Sequence, residues 1–218
     1  MKNLVPVLCL SLGLISCQAN PKKRKNIEPQ KIQTVKVTKE WTSLFDGKTL
    51  NSWHQYNGEG VGKQWTVEES TMVFNPEENR NYGEGGRNIV TDKEYTNFVL
   101  SIEWKISEGG NSGIFWGIRE SKEFGEPYLT GPEIQILDND RHPDALENPK
   151  YHQTGALYDM VQPTSDVCNP AGEWNHIVLT INHNTNKGSV VLNEIEIVAF
   201  ALHGPEWDSL VKASKFGN

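Results

Sequence analysis

The chain has 218 residues, 21 Lys+Arg against 28 Asp+Glu, a formal net charge of −7 and three cysteines. The first 40 positions hold eight Lys+Arg against two acids, so residues 41–218 carry 13 Lys+Arg against 26 Asp+Glu. A body that acidic repels a phosphate backbone, which argues against nucleic-acid binding, and its 178 residues suit one domain with a sizeable core.

Residues 1–16 read as an export signal: Lys2, then an apolar run from Leu4 to Ile15 that is too short to span a bilayer. In Leu14-Ile15-Ser16-Cys17 a small residue precedes a cysteine, the cleavage pattern of bacterial lipoproteins. Cys17 is therefore expected to be lipidated; an ordinary secretory signal that happens to contain a cysteine is the alternative. Residues 17–40 hold Lys22-Lys23-Arg24-Lys25, Lys31, Lys36 and Lys39 with almost no apolar periodicity, and read as a basic, flexible tether. The protein is expected to be exported and anchored by lipid to a cell-envelope membrane, with the outer membrane as partner, facing either the periplasm or the outside. With Cys17 lipidated, Cys168 is the only thiol left in the mature chain, so no internal disulfide is expected and the core alone must hold the fold.

From Trp41 onward short alternating runs are punctuated by glycine, asparagine and proline, and no long stretch has a 3.6-residue period. Strands are predicted over Trp65 to Val67, Met72 to Phe74, Phe98 to Ile106, Ile114 to Ile118, His176 to Asn182, Ser189 to Leu192 and Ile195 to Phe200. In FVLSIEWKI, Phe98, Leu100, Ile102, Trp104 and Ile106 share the core face. Asn193-Glu194 supplies a hairpin turn, because asparagine tolerates positive φ. The pattern predicts an all-β sandwich or jelly roll of two antiparallel sheets, with long loops at 75–87 and 138–152 where function would sit.

The segment GPEIQILDND, residues 131–140, sets four polar groups on a strand. Period 2 turns Ile134 and Ile136 inward and Glu133 and Gln135 outward to solvent, and a bulge after Leu137 would bring Asp138 to the same face. Two carboxylates so placed suit acid/base sugar chemistry; a solvated edge that keeps the strand soluble is the equal alternative. Asp138, Asp140, His142, Asp144 and His152 crowd the following loop, as ligands for a divalent ion or as a hydrogen-bonded polar loop. In EGGNSGIFWGIRE, a glycine-rich turn presents Asn111, whose amide suits sugar hydroxyls, and Arg119 shares a strand face with Phe115. His54, His176, His183 and His203 have no partner legible in the sequence and read as structural. Trp65 and Trp104 fall on the core by strand phase.

Six ordered motifs then carry a resemblance: Leu44-Phe45-Asp46-Gly47-Lys48-Thr49-Leu50 with Trp53, Trp65-Thr66-Val67-Glu68, Glu103-Trp104-Lys105-Ile106 with Gly110-Asn111-Ser112-Gly113-Ile114, Gly131 to Asp138, Thr154-Gly155-Ala156-Leu157-Tyr158, and Gly172-Glu173-Trp174-Asn175. From about residue 41 onward the chain resembles the 3-keto-disaccharide hydrolases, also described as 3-keto-glucoside 1,2-lyase/hydratase domains. The resemblance implies a concanavalin A-like jelly roll and a carbohydrate substrate already oxidised at carbon 3. A base removes the acidic hydrogen at carbon 2, the glycosidic oxygen leaves carbon 1, and hydration of the resulting glucal completes a net hydrolysis. Carried onto this chain it suggests Glu133, Asp138 and His142 as catalytic groups or tentative metal ligands, Asn111, Gln135 and His152 as substrate-binding groups, and Arg119 as the cation for the enolate. A divalent ion is a possible cofactor. The chain stops at Lys215-Phe216-Gly217-Asn218 without the Gln-Asp-His-Gly-like and Phe-Arg-Asn-Ile-like motifs that close such domains, so a missing last strand and a C-terminally incomplete domain over 41–218 are expected. Two other functions fit the same residues: a retaining laminarinase-type glycosidase, although Gln135 stands where its middle acid would be, and a non-catalytic carbohydrate-binding lipoprotein.

Overall fold

The computed structural model describes residues 40–76 and 87–217. The chain divides into two units, 1–41 and 42–218, of which the second is compact; the expected export signal, Cys17 and the tether up to Lys39 lie outside the described residues, as does most of the 75–87 loop. No helix among the described residues is long and apolar enough to cross a membrane.

The second unit is mostly β, with every strand pairing antiparallel. Its strands are β1 (Trp53–Gln55), β2 (Trp65–Glu68), β3 (Thr71–Phe74), β4 (Ile89–Thr91), β5 (Phe98–Trp104), β6 (Asn111–Phe115), β7 (Glu133–Leu137), β8 (Asn175–Asn182), β9 (Lys187–Leu192) and β10 (Ile195–Phe200). Among the described residues, helix α1 (Pro143–Glu147) lies between β7 and β8, α2 (Pro205–Ala213) follows β10, and one 3-10 turn spans Pro127–Leu129. The largest sheet runs β10-β9-β8-β5, and β1-β4, β2-β3 and β6-β7 pair separately.

Strand phase builds the core. Ile177, Leu179 and Ile181 of β8 alternate inward, opposite Val190 and Leu192 of β9 and beside Leu100, Ile102 and Trp104 of β5. Ile134 and Ile136 of β7 join the same cluster with Leu157. Each fully buried leucine or isoleucine contributes about 1.5–3 kcal/mol, enough for this one cluster to hold the sheets without a disulfide. Cys168 is a free thiol, its pKa pushed up to about 11, first by burial. Trp116 stacks on Phe200 at 5.8 Å and Trp104 is buried, so both indoles serve the core. Trp65 is only half-buried, its indole N–H donating to the Arg87 carbonyl at 3.1 Å.

Two expectations shift. The predicted strand at 114–118 lies at Asn111–Phe115, because Gly117 takes φ +64° and breaks it, while Gly109, at φ +63°, makes the preceding turn. Asn111 and Ser112 thus open a strand rather than occupy a turn. The second is α2, which no periodicity over a long window announced; its signals are local, with Pro205 at the first turn, Glu206 and Asp208 near the N-terminus and Lys212 in the last turn. His54 also has partners after all: its ring nitrogens meet Asp92 at 2.8 Å and Glu120 at 3.0 Å, tying β1 to the loop after β6, and the Glu120 hydrogen bond leads the groups that raise its pKa.

The hairpin at Asn193-Glu194 forms as expected, with φ +47° and +73°. Asn193 does more than turn the chain: its amide donates to the Val167 carbonyl and to buried Asn175 at 2.8 Å each, and its oxygen accepts the His176 N–H at 2.9 Å. Asn193→Gly keeps the backbone freedom and loses these bonds, so it should cost about 1–3 kcal/mol in urea unfolding. Asn193→Ala should cost more, since it also meets the φ penalty.

Candidate active site

β7 is hydrogen-bonded along both edges. On one side it pairs with β6 in unbroken register, Phe115 opposite Glu133 and Gly113 opposite Gln135. On the other, residues 154–158 run antiparallel: the Tyr158 N–H donates to the Glu133 carbonyl, the Gly155 N–H to that of Gln135, and the Thr154 hydroxyl to that of Leu137. Leu157 pairs with Ile134 and faces the core. Tyr158, the next residue, therefore falls on the side of Glu133 and Gln135.

That side is not the solvated edge that the sequence leaves open as an alternative. Gln135 is 2% exposed and Glu133 is largely covered. The Glu133 side chain lies across Gly113, where any Cβ would overlap its carboxylate. Burial pushes the Glu133 carboxyl up to about 8; Lys215 pulls the other way and Asp144 adds to the rise.

Asp144, in the first turn of α1, gathers the rest. It accepts from the Tyr158 hydroxyl at 3.0 Å, from the Gln135 amide at 3.5 Å and lies 2.9 Å from His152 Nδ1. The other His152 nitrogen meets Asp159 at 3.1 Å, and the imidazole stacks on the Tyr158 ring at 4.4 Å. Asp159, at φ +58°, also accepts from Asn148 and from the Lys215 backbone N–H at 2.7 Å. Burial opposes ionisation of Asp159, but these donors hold its carboxyl below the usual range. Tyr158 is pushed up, first by burial and then by its bond to Asp144, so it stays a phenol at any working pH.

Of the residues the sequence proposed, the structure gathers Glu133, Gln135 and His152, with Asn111 two positions along β6 from Gly113 and on the same face. Asp138 is elsewhere. No bulge follows Leu137, and the Asp138 side chain, 3% exposed, accepts from the Gly109 N–H at 2.8 Å, the Asp140 N–H at 3.1 Å and Arg141 at 3.2 Å. Burial opposes its ionisation, yet these donors hold its pKa below the ordinary value. The acid pair of a laminarinase-type site is thus not assembled. His142 caps α1, its Nδ1 accepting the Asp144 N–H at 3.2 Å. Arg119 lies beyond the break at Gly117 with its guanidinium over the Phe124 ring at 5.9 Å. Tyr158, Asp159 and Lys215 carried no role in the sequence reading, and Asp144 was only one acid of a loop.

The same residues can be compared with known proteins. A profile of the 3-keto-alpha-glucoside-1,2-lyase-like domain matches residues 40–217. The chain belongs to this family of enzymes. A 3-keto-disaccharide hydrolase of Bacteroides thetaiotaomicron is 33% identical over 240 aligned positions, spanning 95% of this chain and 81% of that protein. A candidate glycosyl hydrolase from Parabacteroides distasonis, solved at 1.70 Å, superposes with a TM-score of 0.69 at 30% identity, covering 80% of this chain and 78% of the other. A second structure from that organism gives 0.56 at 24% identity, covering 73% and 71%, and supports the fold alone.

In this lyase-like domain the expected metal set of Glu133, Asp138 and His142 is not brought together. Among the described residues one other set could hold an ion: Asp144, Glu147 and His152 offer donor atoms within 4.8 Å of one another. Two carboxylates and an imidazole suit a divalent first-row metal. His152 fits the part, because a ligating histidine commonly gives its second N–H to a carboxylate, and Asp159 stands in that position.

Glu133 should be visible in stability. Its folded carboxyl holds its proton to about 8, against 4.5 for an unperturbed glutamate. The contribution is therefore complete below 4.5 and lost as pH rises through 8. The urea midpoint of Glu133→Gln should gain on that of the wild type between about pH 5 and about pH 8.5; a constant gap would show the carboxyl ionised throughout. Asp138→Ala should instead cost about 2–3 kcal/mol in unfolding while leaving the specific activity of the folded fraction unchanged.

Proposed function

We propose that the domain cleaves 3-keto-glycosides by removing the proton at carbon 2, eliminating the group at carbon 1 and hydrating the product, a net hydrolysis of 3-keto-disaccharides. The observation that carries this is a glutamate kept from water on a pinned strand. Its carboxyl, raised to about 8, sits near working pH, where a group is both ionised often enough and basic enough to take a proton from carbon. Glu133 is the base. The proton at carbon 2 passes to its carboxylate, the electron pair moves onto the oxygen at carbon 3 and then returns as the carbon 1–oxygen bond breaks. The leaving oxygen needs a proton, and Tyr158, held as a phenol, stands beside Glu133 to supply it, with Asp144 as the next carboxylate along. Water then adds across the double bond: its oxygen bonds to carbon 1 and gives up a proton to the Tyr158 phenolate, while the protonated Glu133 returns its proton to carbon 2, so both groups are restored.

Gln135 and Asn111 are the substrate-orienting amides, and His152 holds Asp144. A divalent ion on Asp144, Glu147 and His152 would polarise the ketone when bound. The paired sheets are taken as the halves of a concanavalin A-like jelly roll, and the signal over 1–16 with Cys17 as a lipid anchor in the cell envelope; both rest on sequence pattern and family likeness. Incorporation of labelled fatty acid in the wild type but not in Cys17→Ala tests the anchor.

The activity is tested by incubating purified protein with 3-keto-trehalose or a 3-keto-glucoside, with and without chelator. Free aglycone and a transient 2-hydroxy-glucal are expected, with no cleavage of unoxidised β-glucans. Glu133→Gln should lower the rate by about 10²- to 10⁴-fold, and kcat/KM should climb as pH rises through about 8, because the base acts ionised. Sugar bound but never cleaved by the wild type would favour the carbohydrate-binding alternative.

A further inference from the structure

The elimination generates an oxyanion, and the cation the sequence suggests for it, Arg119, has its guanidinium over the Phe124 ring. Another cation arrives from the far end of the domain. After α2 the chain turns tightly: the Ser214 hydroxyl donates to the Val211 carbonyl, the Phe216 N–H donates to Ser214 Oγ at 3.2 Å, and the Lys215 N–H donates to Asp159 at 2.7 Å. The backbone of Lys215 is thereby fixed to the same aspartate that holds His152. Its side chain crosses the Tyr158 ring, Nζ lying 4.2 Å from the centroid, and donates to the Tyr158 hydroxyl at 3.0 Å.

This placement is peculiar for a lysine among acids. Glu133, Asp144 and Asp159 all lie around it, yet among the described residues its ammonium makes no ion pair with any of them. It rests beside the Tyr158 and Phe216 rings, 4.2 and 5.5 Å from their centroids, and the Tyr158 hydroxyl takes one of its three N–H donors; no hydrogen bond to a described residue takes the other two. Its field nevertheless reaches Glu133, whose carboxyl it stabilises in the charged form. A group close enough to act on the base, and holding spare donors, is placed to act on what the base attacks.

We propose that Lys215 is a catalytic residue that binds the carbonyl oxygen at carbon 3 of the sugar and carries the charge developing there when carbon 2 loses its proton. The inference rests on the lyase reading above. In the step concerned the carbon 2–hydrogen bond breaks, its proton goes to Glu133 and its electrons form the carbon 2–carbon 3 double bond. The former carbonyl pair moves onto oxygen against the ammonium, then returns as carbon 1 releases the glycosidic oxygen. Lysine gives up no proton and no electron in this sequence; it lowers the energy of the enolate. Tyr158 has a matching part, since its ring and hydroxyl fix where the ammonium points.

The test compares wild type, Lys215→Met and Lys215→Arg in the full chain, on a 3-keto-glucoside at fixed pH and metal content, with melting temperature measured alongside. The expected result is a kcat lower by about 10²- to 10³-fold in Lys215→Met, with KM within about threefold, an unchanged melting temperature and partial recovery in Lys215→Arg. Active wild type with Lys215→Met within about threefold of its kcat overturns the role of Lys215 alone. Equal losses in Met and Arg variants, accompanied by lower melting temperatures, show that lysine only packs on Tyr158 and overturn it as well. A wild type that leaves the 3-keto-glucoside intact overturns this inference together with the proposed activity.

Discussion

β7 is hydrogen-bonded along both edges, and packing above and below the sheet covers both of its faces as well. β6 lies along one edge and residues 154–158 along the other. The even residues, Ile134 and Ile136, meet the core, where burial stabilises them. The odd ones, Glu133 and Gln135, meet a lid of polar groups instead of water. Every unusual property of the site follows from that, because a carboxylate without solvent must find its compensation among neighbours.

The neighbours treat three carboxylates differently. Asp138 and Asp159 are buried too, but each accepts backbone and side-chain donors that favour the charge. Among the described residues Glu133 receives no comparable donors and is left with desolvation as the leading influence, so its proton stays on to about 8. One functional group, the carboxyl, thus yields fixed anions that hold loops and, at Glu133, an exchangeable proton. Gly113 is part of the arrangement, since the room its missing Cβ leaves is what lets the Glu133 side chain lie flat against the sheet.

Much of this could be read along the chain. Alternation in FVLSIEWKI and at His176 to Asn182 marks the paired strands β5 and β8, and Asn193-Glu194 marks its hairpin. Glu133 and Gln135 were legible as neighbours on one face, because two residues of strand fix that relation. Asp138 was misplaced because a bulge was assumed where the register is continuous, and one residue of slip exchanges the two faces. His142 looked like a ligand but caps a helix of five residues, too short to announce itself by period. Tyr158 stood inside a quoted motif without a role, since only the pairing of Leu157 with Ile134 shows which way it faces.

Local sequence therefore determined the strands, their inward faces, the hairpin and the first two residues of the site, because period, turn chemistry and side-chain size act within a few residues of one another. Tertiary structure decided which acid lost its water, which acids became fixed anions, and that Lys215 reaches across to Tyr158 from 57 positions away. Those outcomes depend on distances between segments and on the exclusion of solvent by the whole fold, and neither quantity is written in any short stretch of the chain.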